Sequence, residues 1–437
     1  MANKQSMTLG DGVRAREVWA WAMFDFANSG YTTVVITAVF NVYFIAVVAQ
    51  GAVWGTFAWT LALSVSYAMV VLTAPLIGAY ADVHAAKKKL LVITTIGCIM
   101  ATAALGLVGP GDLALAIALL IVSNYFFGTG ENLIAAFLPE IARGHALGKV
   151  SGWGWGLGYI GGLLTLGLCL AYVTYAQGLG QGSEQFVPVT MIITAVVFLL
   201  AVLPTFIWLE ERARPQPLPS GGYAGVFGRI WHTVQHAREY RDLMRFLVCI
   251  LFYQAGVQSV ITLAAIYAVE AMGFETNDTI MLILVVNLTA SLGALAFGHV
   301  QDRIGHKSTI VLTLFGWLLT IGVAWMAQTP GVFWIAANLA GLCLGASQSA
   351  GRALVGYLSP VQRRAEFYGL WGFAVKLSSI FGPLTYGAVS WLTDGDHRRA
   401  LLTVGVFFIV GLLILATIDV QRGHASAQRN SKPGADA

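Results

Sequence analysis

Charge is what this sequence has least of. Asp, Glu, Lys and Arg make up 11% of its 437 residues, whereas a soluble protein devotes about a quarter of its residues to them. A water-covered globular surface is therefore excluded. Cysteine is scarce too, and Cys98, Cys169, Cys249 and Cys343 all fall in apolar stretches without paired spacing, which argues against a disulfide framework or a cysteine-based metal centre. The predicted helix interiors hold no Gly-x-Ser-x-Gly elbow, no His-Glu-x-x-His pair and no Walker loop, so hydrolase and nucleotide-driven pump chemistry lack their residues. No catalytic residue, metal site or cofactor is expected. His84, His299 and His306 read as interfacial residues rather than ligands.

What the chain has in excess is apolar side chains, at 57%. Runs of about 20 such residues cross the hydrocarbon core of a bilayer as helices. Twelve are predicted, at about 18–46, 56–81, 90–108, 113–138, 151–175, 187–209, 243–269, 279–300, 308–327, 331–358, 367–392 and 399–418. Residues 1–17 are polar and lack the apolar core of a cleavable signal, so the first helix is expected to be retained. Of 25 Lys and Arg residues, 21 fall in the tails and in alternate loops of one face, counting Arg245 at the helix end that adjoins the linker. By the positive-inside rule that face, with both termini and the central linker, is cytoplasmic. Only Arg398 and Arg399 fall on the other face, and the charge distribution points to a lipid surface rather than to nucleic acid. Arg352 and Lys376 remain, inside predicted spans.

The two halves share a plan. Gly78, Asp82 and Lys87 recur as Gly298, Asp302 and Lys307, each offset by 220 residues and each at the exit of a second apolar segment. Repeated helical halves are the signature of a secondary transporter. The expected layout is a cytoplasmic tail over 1–17, a six-helix bundle over 18–209, a linker with an interfacial helix over 210–242, a second bundle over 243–418 and a disordered cytoplasmic tail over 419–437. Asp82 is placed to accept from the free N–H groups that open another helix, where the helix dipole favours an anion. Lys87, Lys88 and Lys89 read chiefly as an orientation signal at the inner leaflet.

Polar residues inside the spans mark the candidate site. Trp21, Asp25, Asn28 and Thr32 share one face of helix 1. Two readings of Asp25 stand: a cavity carboxylate, or a local cap near the interface. Glu131, with Asn132 beside it, lies too deep in helix 4 for an interfacial role and needs a partner or a proton. Helix 7 offers Gln254 and Gln258, helix 10 offers Gln348 and Arg352, and helix 11 holds Lys376. The 220-residue offset maps Glu131 onto position 351, beside Arg352, so a coupled Glu131–Arg352 pair is expected, with Lys376 and Asp25 near the same cavity. Gly154, Gly158 and Gly162 form a small-residue ladder read as a packing surface.

The stretch Gly298-x-x-x-Asp302-Arg303-x-Gly305-x-Lys307 resembles the signature loop of the major facilitator superfamily. The first copy departs from it, with Val83 and Ala85 in place of the arginine and second glycine. Trp21-Ala-x-x-Asp25-x-Ala-Asn28-Ser29-x-Tyr31 and Leu138-Pro139-Glu140-Ile141-Ala142 are similar to the branch of autophagy-linked vacuolar amino-acid effluxers and their bacterial relatives. The resemblance implies an all-α membrane protein with twelve transmembrane helices in two pseudo-symmetric six-helix bundles, the major facilitator fold. It also implies export of a small-molecule substrate such as an amino acid. With no organelle-targeting feature in view, the expected protein is a monomer in a bacterial cytoplasmic (inner) membrane that works by alternating access, coupled to protons through Glu131. Proton-coupled multidrug efflux is the alternative, and a non-transporting receptor or lipid-moving protein is a third reading.

Overall fold

In the computed structural model, the described residues are 9–10, 12–52, 54–144, 146–215, 239–274, 276–394 and 396–429. Apolar spans become helices because a bilayer offers their backbone no other hydrogen-bond partners. The first span runs from α1 (Ala15–Tyr31) through two π-type turns, Thr32–Ala38 and Phe44–Val48. The first half continues with α2 (Gly55–His84), α3 (Lys87–Ala104), α4 (Leu113–Ala135), α5 (Ala146–Gly178) and α6 (Ser183–Trp208). A one-turn helix, Leu138–Ile141, joins α4 to α5. The second half comprises α7 (Arg241–Met272), α8 (Thr276–Ile304), α9 (His306–Met326), α10 (Pro330–Leu358), α11 (Arg364–Leu392) and α12 (His397–Ala416), followed by a short α13 (Val420–Arg429).

Eleven of the described helices are long and apolar enough to cross a membrane. The helix that carries Lys376, α11, is not among those eleven. The halves meet along α2 against α11 and α5 against α8, with lighter contact of α4 on α11 and α5 on α10. Helices α3, α6, α9 and α12 stand outside and leave large apolar side chains uncovered, including Met100, Leu200, Phe315 and Leu413. This is the arrangement expected when lipid covers the perimeter.

Close backbone approach at the seam depends on glycine. A side chain on Gly152 would meet the Ala294 carbonyl of α8, and one on Gly78 would strike the backbone of Ala365. The two repeated turns both place a positive-φ residue at the corresponding position but differ in shape. Gly305 precedes α9 at φ 88° and ψ 159°, whereas Ala85 ends α2 in the left-handed helical region at φ 49° and ψ 52°. A residue with a side chain can enter that region at modest cost, while the conformation of Gly305 is one that glycine alone adopts readily.

Two expectations need correction. Lys87 is not a solvated membrane charge: it is buried and ion-paired with Glu140, because the end of α2 brings it under the α4–α5 connection. The tail after 419 is not uniformly disordered. Its residues 420–429 form α13, held by Arg422 on the Asp242 carboxylate at 2.7 Å and by Gly423, whose missing side chain admits Leu358 and Asp242. The interfacial helix expected around 231–242 falls partly on residues 231–238, which lie outside the described residues.

Candidate functional site

Four charges sit at the seam, and the pairing differs from the one expected at the sequence level. Arg352 of α10 pairs with Asp25 of α1 at 2.7 Å. Lys376 of α11 pairs with Glu131 of α4 at 3.1 Å. Each pair therefore joins one half of the molecule to the other. The expected Glu131–Arg352 partnership fails because Arg352 lies one residue beyond the position equivalent to Glu131. One residue turns a helical side chain by about 100°, and that turn aims Arg352 at α1 and α5.

The environments of the two pairs differ. Arg352 is held from every side: Nε donates to Ser151 Oγ at 3.1 Å and Nη2 to the Ser151 carbonyl at 3.0 Å. The rings of Trp21 and Trp155 flank its guanidinium at 4.6 and 5.3 Å, a cation–π arrangement that favours the charged group. Tyr368 donates to the Arg352 carbonyl, and Trp21 Nε1 donates to the Ile134 carbonyl. The Gly154 position makes room for this cage, since a side chain there would run into Asp25 and Arg352. Asp25 is thus a residue of the seam and does not cap its own helix.

The second pair is looser. The Glu131 and Lys376 side chains keep 21% and 11% of their exposure, against 12% for Asp25 and 3% for Arg352. Lys376 lies about 18 Å from the start of α11, counted at about 1.5 Å per residue, near the middle of a hydrocarbon core of about 30 Å. Tyr67 and Phe127 place their rings 5.5 and 5.6 Å from its ammonium. Asn132, buried on α4, has no partner for either side-chain polar atom and lies against Gly372 of α11. Two unpaired amide atoms beside an ion pair can receive a polar guest.

The other candidates divide. Asn28 is buried with its Oδ1 unpartnered. Gln254 donates to Gln348 at 2.6 Å within the second half while its own Oε1 is buried without a partner, and Gln258 is half-buried one turn away. Ser151, Trp155, Tyr67 and Phe127 were missed. Their polar and aromatic types in otherwise apolar spans were the available signal, and only the facing helices reveal their role.

The repeated turns act at the ends of the same seam. Asp82, on the turn opened by Gly78, accepts from the Glu366 amide at 2.9 Å at the start of α11, as the dipole argument anticipates. Asp302 of the second copy lies beside Gly148 in the first turn of α5. Lys307 donates to the carbonyls of Ile418 and Ala416 at the end of α12, at 2.6 and 3.2 Å, where a cation opposes the negative dipole end. Arg303, which follows Asp302, is exposed. Glu211 satisfies the first amides of α3, accepting from Lys87 and Lys88 at 2.9 and 3.0 Å.

The family described as vacuole effluxer Atg22 like matches residues 47–428. An MFS-type transporter of Bacillus subtilis (strain 168), YxiO, whose function is uncharacterized, is 26% identical, covering 95% of this chain and 97% of its own. Autophagy-related protein 22-1 of Penicillium rubens is 26% identical over 64% of this chain, which spans about half of that protein's length. Among solved structures, the human organic anion transporter MFSD10 superposes with a TM-score of 0.72 at 15% identity, covering 92% of this chain and 99% of its own. The proton:xylose symporter XylE superposes with a TM-score of 0.72 at 13% identity, covering 94% and 98%. At those identities the likeness concerns the fold.

Proposed function

We propose, from the premise that this chain belongs to the Atg22-like family of the major facilitator superfamily, that it exports a small zwitterion such as an amino acid in exchange for protons. The chain is a secondary transporter and a multi-pass membrane protein acting on a small molecule; its family and structural neighbours are transporters, not enzymes. The observation that carries the finer reading is the looser ion pair, Glu131 with Lys376, bridging the halves at 3.1 Å near mid-span. A zwitterion is complementary to that pair. Its carboxylate takes Lys376, its ammonium takes Glu131, and Asn132 offers both donor and acceptor to the polar backbone of the guest.

Coupling then follows from competition. A proton and the substrate's ammonium seek the same Glu131 carboxylate, so the carrier crosses with one or the other, which is the logic of antiport. A ligand moves a conformational equilibrium only through its differential affinity for the two states. Splitting an ion pair that joins the halves supplies that difference. In this reading Asp25–Arg352 is a latch, too tightly caged to exchange ligands, which holds closed the face bearing the repeated turns. The distribution of Lys and Arg supports placing that face, both termini and the linker in the cytoplasm of a bacterial inner membrane. A monomer suffices, since both pairs form within one chain.

The test is thermal stabilisation of purified protein across amino acids, peptides, sugars and lipophilic cations, repeated in Lys376→Ala and Glu131→Gln. Stabilisation by an amino acid that disappears in both variants is expected. Stabilisation that survives in both overturns the assignment. The rings of Tyr67 and Phe127 beside Lys376 favour one second reading, efflux of amphipathic compounds, for which lipophilic cations alone would stabilise.

A further inference from the structure

Each nitrogen of the Arg352 guanidinium is engaged: Nη1 on Asp25, Nε and Nη2 on Ser151. Next to this cage, two polar atoms remain over. Trp155 of α5, whose ring lies 5.3 Å from the guanidinium, keeps its Nε1–H buried without an acceptor. Gln254 of α7, 1% exposed, keeps its Oε1 buried without a donor. Buried polar atoms without partners are rare, and here one is a donor of the first half and the other an acceptor of the second.

Helix azimuth brings them to the same part of the seam. On α5, Gly154 and Gly158 pack against α1, and Gly152 and Gly156 pack against α8. At about 100° per residue, Trp155 falls in the sector between those faces, toward the second half. On α7, Gly256 meets Phe408 of α12, and the Ala255 carbonyl meets Gly382 of α11. Gln254 points away from both, to its hydrogen bond with Gln348 of α10. Gln348 lies one turn from Arg352 on α10, as Trp155 lies one turn from Ser151 on α5, and both steps lead away from the repeated turns. The depth also matches that of the looser ion pair. Helices α7 and α11 pack together and start from the same face, and at about 1.5 Å per residue Gln254 and Lys376 lie about 19 and 18 Å along them. Packed helices stand about 8–10 Å apart, a gap that an extended glutamine spans.

A charged group is the wrong complement for these two atoms. A carboxylate only accepts and would press on Gln254 Oε1, while an ammonium only donates and would leave the indole N–H unanswered beside Arg352. A carboxamide does both, its oxygen accepting from Trp155 and its N–H group donating to Gln254. We propose that the exported zwitterion carries a carboxamide side chain, as glutamine does, seated between Trp155 and the Gln254–Gln348 pair while its ends engage Lys376 and Glu131. This side-chain site rests on the zwitterion reading above and names the guest that reading left open.

Dissociation constants of L-glutamine, L-glutamate and L-norleucine, taken from ligand-induced thermal shifts of the full chain in detergent, are the test. A site built to hydrogen-bond its guest rejects the analogue that lacks the group far more strongly than an apolar site rejects a missing methylene. Glutamine is expected to bind about tenfold or more tightly than either analogue. Its preference over norleucine is expected to fall to about twofold or less in Trp155→Phe, which keeps a ring and removes the N–H, and in Gln254→Met. The ratio is the readout, because a general loss of packing around the latch weakens both ligands alike. Equal affinity for glutamine and norleucine in the parent protein, or a preference that persists in both variants, overturns the side-chain site and leaves the zwitterion reading standing. No shift with these or with any other amino acid removes the zwitterion reading and the side-chain site with it.

Discussion

At the scale of single residues, absent side chains matter as much as charges. Gly154 was legible as part of a packing ladder, but its role beside the Asp25–Arg352 pair was not, because a ladder does not say what lies above it. Gly154→Ala is expected to push the pair apart at a cost of about 1–3 kcal/mol to the latched state, and to lower the exchange rate in proteoliposomes at least tenfold. Ala85 gives the opposite case. It holds a left-handed conformation at φ 49° where the other repeat has Gly305, and the left-handed region costs an L-residue about 1–2 kcal/mol. Part of that gain is offset by the extra chain entropy of glycine. Ala85→Gly should therefore stabilise the protein by about 0.5–1 kcal/mol, visible as a higher midpoint in thermal unfolding. The departure of the first turn from the superfamily pattern was readable in the sequence; that Ala85 takes a positive φ there all the same, with a different ψ from Gly305, was not.

At the scale of elements, helix existence was the most legible property and helix azimuth the least. Long apolar runs announce themselves by composition, whereas the direction in which Glu131 or Arg352 points depends on a rotation of about 100° per residue and on which helix arrives opposite. The connections at the end of the first half show the same limit. Lys87 looked like one of three membrane-facing lysines, yet only its neighbours Lys88 and Lys89 fit that reading; Lys87 is 1% exposed and paired with Glu140. Breaking a buried pair by removing one partner leaves a stranded charge. Lys87→Met should thus destabilise the fold by about 3 kcal/mol in denaturant unfolding, with Lys88→Met within experimental error of the parent. The short α13 was hidden for another reason. Its polar, basic sequence carries no apolar run, and its place is set by Arg422 on Asp242. Asp242→Asn is expected to release it, which limited trypsin digestion would report as faster cleavage after Arg422.

At the scale of the whole molecule, the 220-residue repeat gave the two-bundle plan because equal halves with equal turns fold by the same rules. The pairing across the seam lay beyond it, since a repeat specifies each half and leaves their contact surface to shape. On the proposed reading, the ion pairs across that surface are working parts of alternating access and do not serve as fixed struts. Asp25→Asn leaves Arg352 buried without its counter-charge. The closed state should lose between about 1 and 4 kcal/mol, and even the lower figure shifts the closed-to-open ratio about fivefold. The most direct measurement is the inter-bundle distance distribution by double electron–electron resonance, with spin labels at Lys89→Cys and Ser308→Cys, which open α3 and α9 on the face of the repeated turns. The expected result is two distance populations, with the longer one rising at least fivefold in Asp25→Asn. A single short distance that is identical in parent and variant would contradict the account and make the Asp25–Arg352 pair a permanent brace.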